Sequence, residues 1–485
     1  MKKLLLLITC IALSLLLFAA CGNGGGEVTE PSGEPAADTC AHEWEFVTFV
    51  TAASEVSLPG RYLCKNCQKE ETRSISYTDI AIPLVTIDGE IAQISKEEKA
   101  NVRVIYQSEE RSFESAATMK LQGNSSLSWE KKNFALTLRD DAFDKKNKVV
   151  VKEAWGAQSK YCLKSNYVDP TFARNLVTSD LYGQIAATRE LEDEYSSLAN
   201  YGSVDGFMVM LYLNGRYQGV YNWNIPKDKW LFDMGDEEAG EAVLCGSANL
   251  LYRDGITVDE EAKSYWEFEY CNAAFSEQGE SWAVDSFNEM LFFSIDATPT
   301  EFREGAANYL NVERTIDAVL LACVFCQKDN INANLVFCTY DGTHWAPVLY
   351  DLDETFGRDA GDLVEGKEDF PDCSENPIYS AILRNFYPEL KARYFALRES
   401  ILTTKNIKAL FAEKMKGLDE RYFRSEAERW ERGGWQPISS SGDLTIDSFA
   451  DELAYIESYI DARLAYCDLI LSRETFSAAD PDLAA

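Results

Sequence analysis

The sequence predicts an α+β fold, strand-rich in its N-terminal part and helical in its C-terminal part. Two patterns lead there. Alternation with period two, the mark of half-buried strands, recurs between Thr78 and Tyr221, while helical period and helix-start signals dominate from Pro377 onward. Strands first and helices afterwards belong to α+β domains rather than to alternating α/β sheets. A hydrophobic content of 46%, with 12% aromatic residues, is ample for a sizeable core.

The elements follow in order. Met1-Lys2-Lys3 is a short basic start, Leu4 to Phe18 is almost unbroken apolar sequence, and Ala19-Ala20 precedes Cys21. The run is too short for a spanning helix and ends at a processing site, so residues 1–21 read as a secretory signal. A cysteine directly after Ala-Ala is the acceptor pattern of bacterial lipoproteins, in which acylation of Cys21 supplies the buried methylenes of a membrane anchor. The expected location is the outer face of the bacterial cytoplasmic membrane, with the lipid anchor as the membrane contact. Residues 22–39, rich in Gly, Pro, Glu and Ala, read as a flexible linker. Residues 40–78 form a small Cys/His module, 79–475 the main domain, and 476–485 a disordered tail.

In the main domain, strands are expected at Ile80–Ile87, Val102–Tyr106, Thr118–Leu121 and Phe134–Leu138. A helix is expected over Asp169–Ile185, with Pro170 near its first turn. Val204–Tyr221 reads as a hairpin turning at Asn214-Gly215. Asn308–Gln327 has helical period, and Asn334–Tyr340 with Trp345–Leu349 forms a second hairpin around Asp341-Gly342. Helices are expected at Tyr379–Phe386, Pro388–Leu402, Lys405–Arg429 and Ile446–Ser472. The sequence contains no internal repeat.

The chain carries 80 acidic against 46 basic residues, a net charge of -34. That field repels nucleic acid and anionic headgroups, and both are discounted as partners. Eleven cysteines remain besides Cys10 and Cys21, an odd number, so at least one lies outside any intramolecular disulfide. Cys162, Cys245, Cys323, Cys326 and Cys338 sit in apolar segments and read as small core residues. Cys40-x-His42 and Cys64-x-x-Cys67 are different, since they offer four nitrogen and sulfur ligands in two close pairs. A closed structural zinc site takes such a set, and a segment this short needs a staple; a Cys64–Cys67 disulfide or redox pair is the alternative.

Six blocks, in order, resemble the CotH (spore coat protein H) kinase family between Ile80 and Arg473. They are Met119-Lys-Leu-Gln-Gly123-Asn124-Ser125-Ser126, then Lys131-Lys132-Asn133, then Leu163-Lys164 with Asp169-Pro-Thr-Phe-Ala-Arg174-Asn175. Tyr212-Leu-Asn214-Gly215 to Tyr221, Asp329 to Asn334, and Tyr350-Asp351-Leu-Asp353 to Gly357 complete the set. The resemblance implies an atypical protein-kinase-like domain that uses ATP and Mg²⁺. The family commonly carries a Leu-Tyr-Lys segment after the hairpin; here Leu251-Tyr252-Arg253 stands in its place, and Asn224-Ile225-Pro226-Lys227 replaces a region that tends to hold a Glu. Arg253 or Lys227 is then the phosphate contact, although Arg is not a conservative stand-in for Lys.

The residues themselves suit phosphoryl transfer, which needs Mg²⁺ on hard oxygen ligands and a carboxylate to position the nucleophile. Asp329 and Asn334 have the Asp-x-x-x-x-Asn spacing of a kinase catalytic loop, Asp329 for the hydroxyl and Asn334 for metal. Asp351 follows a hairpin, where ordinary kinases place a metal-binding Asp, and Asp353 adds a carboxylate on the same side of a strand. Turn formation by Asp329, Asn330 and Asn334 and strand capping by Asp351 and Asp353 are the structural alternatives. Lys132, Lys164 and Arg174 are further phosphate-facing candidates, or else surface or ion-pair residues. The expected partner is an extracytoplasmic protein substrate bearing a Ser, Thr or Tyr hydroxyl; the alternative is a non-catalytic surface module that binds a protein or glycan. His344 and the pair Cys323-x-x-Cys326 read as structural.

Overall fold

The computed structural model describes residues 40–190, 193–247, 255–258, 266–359, 362–364, 366, 370–430, 446 and 448–476. The expected signal, Cys21, the linker, Arg253 and residues 477–485 lie outside the described residues. Three consecutive antiparallel strands, β1 (Trp44–Phe49), β2 (Pro59–Cys64) and β3 (Glu70–Ser74), form the N-terminal sheet. The centre is a closed seven-stranded barrel of β4 (Leu84–Gly89), β5 (Ala100–Gln107), β6 (Ser112–Gln122), β7 (Asn133–Arg139), β8 (Lys160–Lys164), β9 (Gly206–Leu213) and β10 (Arg216–Asn224). Neighbours run in the order β8-β10-β9-β4-β5-β6-β7, with β7 closing onto β8. Within the barrel, β4 and β9 pair in parallel and the other neighbouring pairs are antiparallel.

Alternation explains the barrel. Val85 and Ile87, Val102, Val104 and Tyr106, Phe134, Leu136 and Leu138, Tyr161 and Leu163, Val209 and Leu211, and Tyr221 and Trp223 share one core. Residues two apart point to the same face of a strand, so these fill the interior. The opposite faces of β4, β9 and β10 bury Leu84, Met208, Met210, Tyr212, Tyr217 and Val220 in a second core built largely by helices. Burial on both faces accounts for the nearly continuous apolar run of β9. The hairpin turns as expected, with Asn214 at φ 49° and Gly215 at φ 72°, the positive angles a tight hairpin turn requires. Trp223 is fully buried, with Tyr161 5.0 Å and Tyr106 5.6 Å away between ring centres. Truncating it to Ala costs about 3–5 kcal/mol.

A second sheet follows, with β11 (Ala242–Gly246), β12 (Glu267–Cys271), β13 (Leu335–Thr339) and β14 (Ala346–Val348) in the order β12-β11-β13-β14. Val243, Val336 and Cys338 on one face join the barrel core, and Leu244, Leu335 and Phe337 on the other join the helical core. The α-helices of five or more residues among the described residues are α1 (Arg174–Ala186), α2 (Ser281–Asp296), α3 (Pro299–Gly305), α4 (Val312–Val324), α5 (Lys328–Asn332), α6 (Pro377–Asn385), α7 (Tyr387–Arg398), α8 (Thr404–Lys414), α9 (Glu420–Arg429) and α10 (Phe449–Leu471). No described helix is long and apolar enough to cross a membrane.

Two helix expectations need correction. The helix expected from Asp169 begins at Arg174, because the Asp169 carboxylate accepts hydrogen bonds from Thr171 N (2.9 Å) and Arg174 N (2.8 Å) and holds the preceding residues in a turn. The helix expected over Lys405–Arg429 is two helices. Gly417 breaks it at φ 94°, where a side chain would meet Ala81 Cβ at 2.7 Å, and Asp419 then caps α9.

Candidate active site

The acidic segment after β14 is a loop, not the strand expected to carry Asp351 and Asp353 on one side. The ladder ends at Val348 because the neighbouring backbone groups bond to side chains instead. Asn330 donates to Tyr350 O (2.5 Å), and Leu352 N donates to Asn175 Oδ1 (3.3 Å). Asp351 lies between them at φ 62°, in the sparsely populated left-handed region. Arg174, fully buried at the start of α1, donates from Nε to Thr355 O (2.8 Å) and from Nη2 to Phe356 O (3.3 Å). Its other contacts are Asp169 (2.6 Å) and Glu452 of α10 (2.7 Å), and Glu452 also holds Arg358 at 2.6 Å. A buried guanidinium needs this number of partners, and here they fasten the loop to two helices.

Two lysines converge on the loop. Lys164, the last residue of β8, is nearly buried; its Nζ lies 3.1 Å from Asp351 Oδ1 and 4.8 Å from the Tyr350 ring centre. Lys227 Nζ approaches the same ring at 4.9 Å and forms a short ion pair with Glu269 of β12. Burial pushes the Lys164 ammonium down, but Asp351 and Tyr350 outweigh it and hold Lys164 charged, well above its ordinary range. Lys227 is likewise depressed by burial and raised further by Cys245 and Glu269. Asp353 goes the other way: burial, then the adjacent Asp351 and Glu354, raise it well above the usual carboxylate range, with Lys164 opposing. Two carboxylates that resist sharing charge, beside a cation, suit a divalent metal that would neutralise both.

Asp329 and Asn334 form one bonded unit, with Asn334 Nδ2 donating to Asp329 Oδ2 at 3.2 Å. The Asn330–Tyr350 hydrogen bond ties this unit to the acidic loop, one residue from each of Asp329 and Asp351. The structure brings Lys164 to Asp351 and both Lys164 and Lys227 to Tyr350, and it links the Asp329–Asn334 unit to them only through Asn330; Asp329, Asp351 and Asp353 do not form a three-carboxylate cluster among the described residues. Lys132 and Arg174 are taken up by protein groups instead. Lys132 Nζ caps the carbonyls of Leu127 and Trp129, and Arg174 is enclosed by Asp169 and Glu452. Lys131 is enclosed too, paired at 2.9 Å with Glu426. His344 bonds to Asp341 beside its turn, and Cys323 is buried, as expected of structural residues. Sequence reading missed Glu269 and gave Tyr350, although it opens the acidic block, no role of its own. Glu269 sits in an alternating Glu-x-Glu on an edge strand, and Tyr350 adjoins Asp351; both signals are visible only once β12 and the loop are placed together.

The N-terminal module brings Cys40, His42, Cys64 and Cys67 together, with ligand atoms all within 4.8 Å of one another. Cys40 and Cys64 sulfurs are 3.8 Å apart, and Cys67 Sγ is 3.4 Å from His42 Nδ1. A tetrahedral zinc with Zn–S bonds near 2.3 Å spaces its sulfurs roughly 3.8 Å apart. Gln68 at φ 62° tightens the turn that follows Cys64-x-x-Cys67. Burial and the neighbouring Cys67 and Cys64 push the Cys40 thiol up, whereas at Cys64 hydrogen bonds from His42 and from the Cys67 and Asn66 backbone outweigh burial and bring the thiol down to about 6. The residues fit a closed metal site.

The sequence model of the family described as CotH kinase protein matches residues 119–467, which include every residue of the lysine–carboxylate cluster. No curated protein matches the chain.

Proposed function

The chain belongs to the CotH kinase family, and on that premise we propose that it transfers phosphate from ATP·Mg²⁺ to a hydroxyl of an extracytoplasmic protein. It does so while held by a lipid on Cys21 at the outer face of the bacterial cytoplasmic membrane. The observation that carries the reading is the convergence of Lys164 and Lys227 on Tyr350 beside Asp351 and Asp353. Mg²⁺, when bound, would supply positive charge that offsets the charge on the phosphates. Asp351 and Asp353 would hold it, with Asn334 as the amide ligand. Lys164 and Lys227, both charged and almost dehydrated, would meet phosphate oxygens, with Arg253 as a further contact. Asp329 would accept the substrate hydroxyl's proton. The Cys40–His42–Cys64–Cys67 set would hold zinc in a structural role.

The test is thermal melting of the full chain with ATP, with Mg²⁺, and with both, since a ligand that binds only the folded state must raise the melting temperature. A rise that requires both supports the reading. No rise at saturating ligand refutes it and leaves the non-catalytic binding module in its place.

A further inference from the structure

The metal module is not a free appendage. Phe49, at the end of β1, is 1% exposed and packs against Tyr217 of β10 (5.0 Å between ring centres) and Tyr422 of α9 (5.1 Å). Thr48 Oγ1 lies 3.3 Å from Ser425 Oγ, Arg421 Nη1 donates to Phe46 O (3.5 Å), and Leu58 N donates to Gly215 O (3.1 Å).

Helix α9 in turn plugs into the barrel wall. The β9–β10 register slips between Leu211↔Gly219 and Tyr212↔Tyr217, which leaves Gln218 as an extra residue, a β-bulge. Glu426 fills that bulge. Its Oε1 accepts from Val220 N (2.6 Å) and from Lys131 Nζ (2.9 Å), and a side chain on Gly219 would meet it at 1.8 Å. Two residues beyond Val220, Asn222 pairs with Lys164 across β10 and β8, and the same strand leads on to Lys227. One short path therefore joins the Cys/His cluster to the lysines of the candidate site.

Helix α9 has ten residues and a highly charged sequence, Glu-Arg-Tyr-Phe-Arg-Ser-Glu-Ala-Glu-Arg. A helix of that length is marginal by itself and depends on what it packs against. The module supplies one flank of its packing and the barrel the other.

We infer that the metal-bound module is an intramolecular clamp: zinc on Cys40, His42, Cys64 and Cys67 stiffens the β1–β3 sheet, which seats α9 in the β10 bulge and so fixes the strand pair that presents Lys164. Loss of the metal loosens β1, frees α9 and weakens phosphate binding from a distance. The metal's identity and the nucleotide consequence rest on the function proposed above; the clamp itself does not.

The full chain is first assayed for zinc by atomic spectroscopy. Backbone hydrogen exchange, without nucleotide, is then compared before and after treatment with 1,10-phenanthroline, and in Phe49→Ala, which keeps every metal ligand. ATP·Mg²⁺ affinity is measured on the same samples. The clamp predicts one zinc per chain, faster exchange in residues 216–224 and 420–429 after metal removal and in Phe49→Ala, and at least about a fivefold loss of nucleotide affinity. Zinc present with exchange in both segments unchanged overturns the clamp and leaves the metal site standing. Absence of zinc overturns both. Faster exchange in a chain that never binds ATP·Mg²⁺ supports the clamp and refutes the kinase reading.

Discussion

Replacing Glu426 by Leu isolates the buried contact that plugs α9 into the barrel. Glu426 and Lys131 are each 1% exposed at the side chain, with 2.9 Å between Nζ and Oε1. Lys131 also donates to Val220 O (2.6 Å) and faces the rings of Phe172 (4.9 Å) and Tyr221 (4.7 Å). Losing the carboxylate leaves an ammonium in an apolar wall, a change that costs about 3–5 kcal/mol. It also strands the Val220 N–H, which adds about 1–3 kcal/mol. Lys131→Met alone leaves the opposite buried charge and is expected to cost a similar amount. The double variant, Lys131→Met with Glu426→Leu, removes both charges and should recover much of the loss, because a well-packed apolar replacement of a buried pair is often neutral. Urea midpoints of the four proteins form a double-mutant cycle whose coupling reports the pair. A single-variant cost below about 1 kcal/mol, or a double variant no better than the worse single, would refute the reasoning that this ion pair holds α9.

Two further outcomes concern the site. Asp351→Asn should abolish the joint ATP and Mg²⁺ melting shift while leaving the chain folded by circular dichroism, since Asn tolerates the φ of 62° at this position; a retained shift removes Asp351 from the metal site. The raised Asp353 sets a pH dependence. Its folded carboxyl binds a proton more tightly than the unfolded one, so its contribution to stability is fully present below the unfolded value and is lost as pH rises through the folded one. Without divalent metal, Asp353→Asn should therefore melt higher than wild type near neutral pH, with the gap closing as the pH is lowered below about 4. A gap that widens on acidification contradicts the assignment.

Much of this fold was legible because its physics is local. Alternating strands such as Val102–Tyr106 and the Asn214-Gly215 turn carry their signal within a few residues, and the structure has strand Ala100–Gln107 at the first and strands Gly206–Leu213 and Arg216–Asn224 either side of the second. Capped helices are equally local: Thr298-Pro299-Thr-Glu301 forms a capping box with Pro at the first turn of α3, a signal present in the sequence although that helix was not expected. What was not legible depends on long-range contact. Gly417 interrupts a helical pattern at a position where Ala81, in the segment before β4 and more than 300 residues earlier in the chain, leaves no room for a side chain. Asp351 leaves the strand because Asn330 and Asn175 take the bonds of its neighbours. Lys131 and Lys132 look alike in sequence, yet one pairs with Glu426 and the other caps a turn. The partner of Lys227 is Glu269, 42 residues away in sequence, and no spacing rule connects the two.

The same long-range pairing bears on how a chain with a net charge of -34 could bind ATP. Lys164 is engaged by Asp351 and Lys227 by Glu269, so neither ammonium is offered freely to a phosphate. On the function proposed above, Asp351 and Asp353 would hold a divalent cation, and Asp351 would then be shared between that cation and Lys164, leaving the ammonium available to a phosphate. Metal and nucleotide would then strengthen one another by equal factors, as linkage requires. The expected result is that the melting shift with both ligands exceeds the sum of the separate shifts, and that Lys164→Met abolishes the excess while Mg²⁺ alone binds more tightly, its competitor being gone. Simple additivity of the two shifts would mean that Lys164 serves Asp351 only as a structural counter-ion.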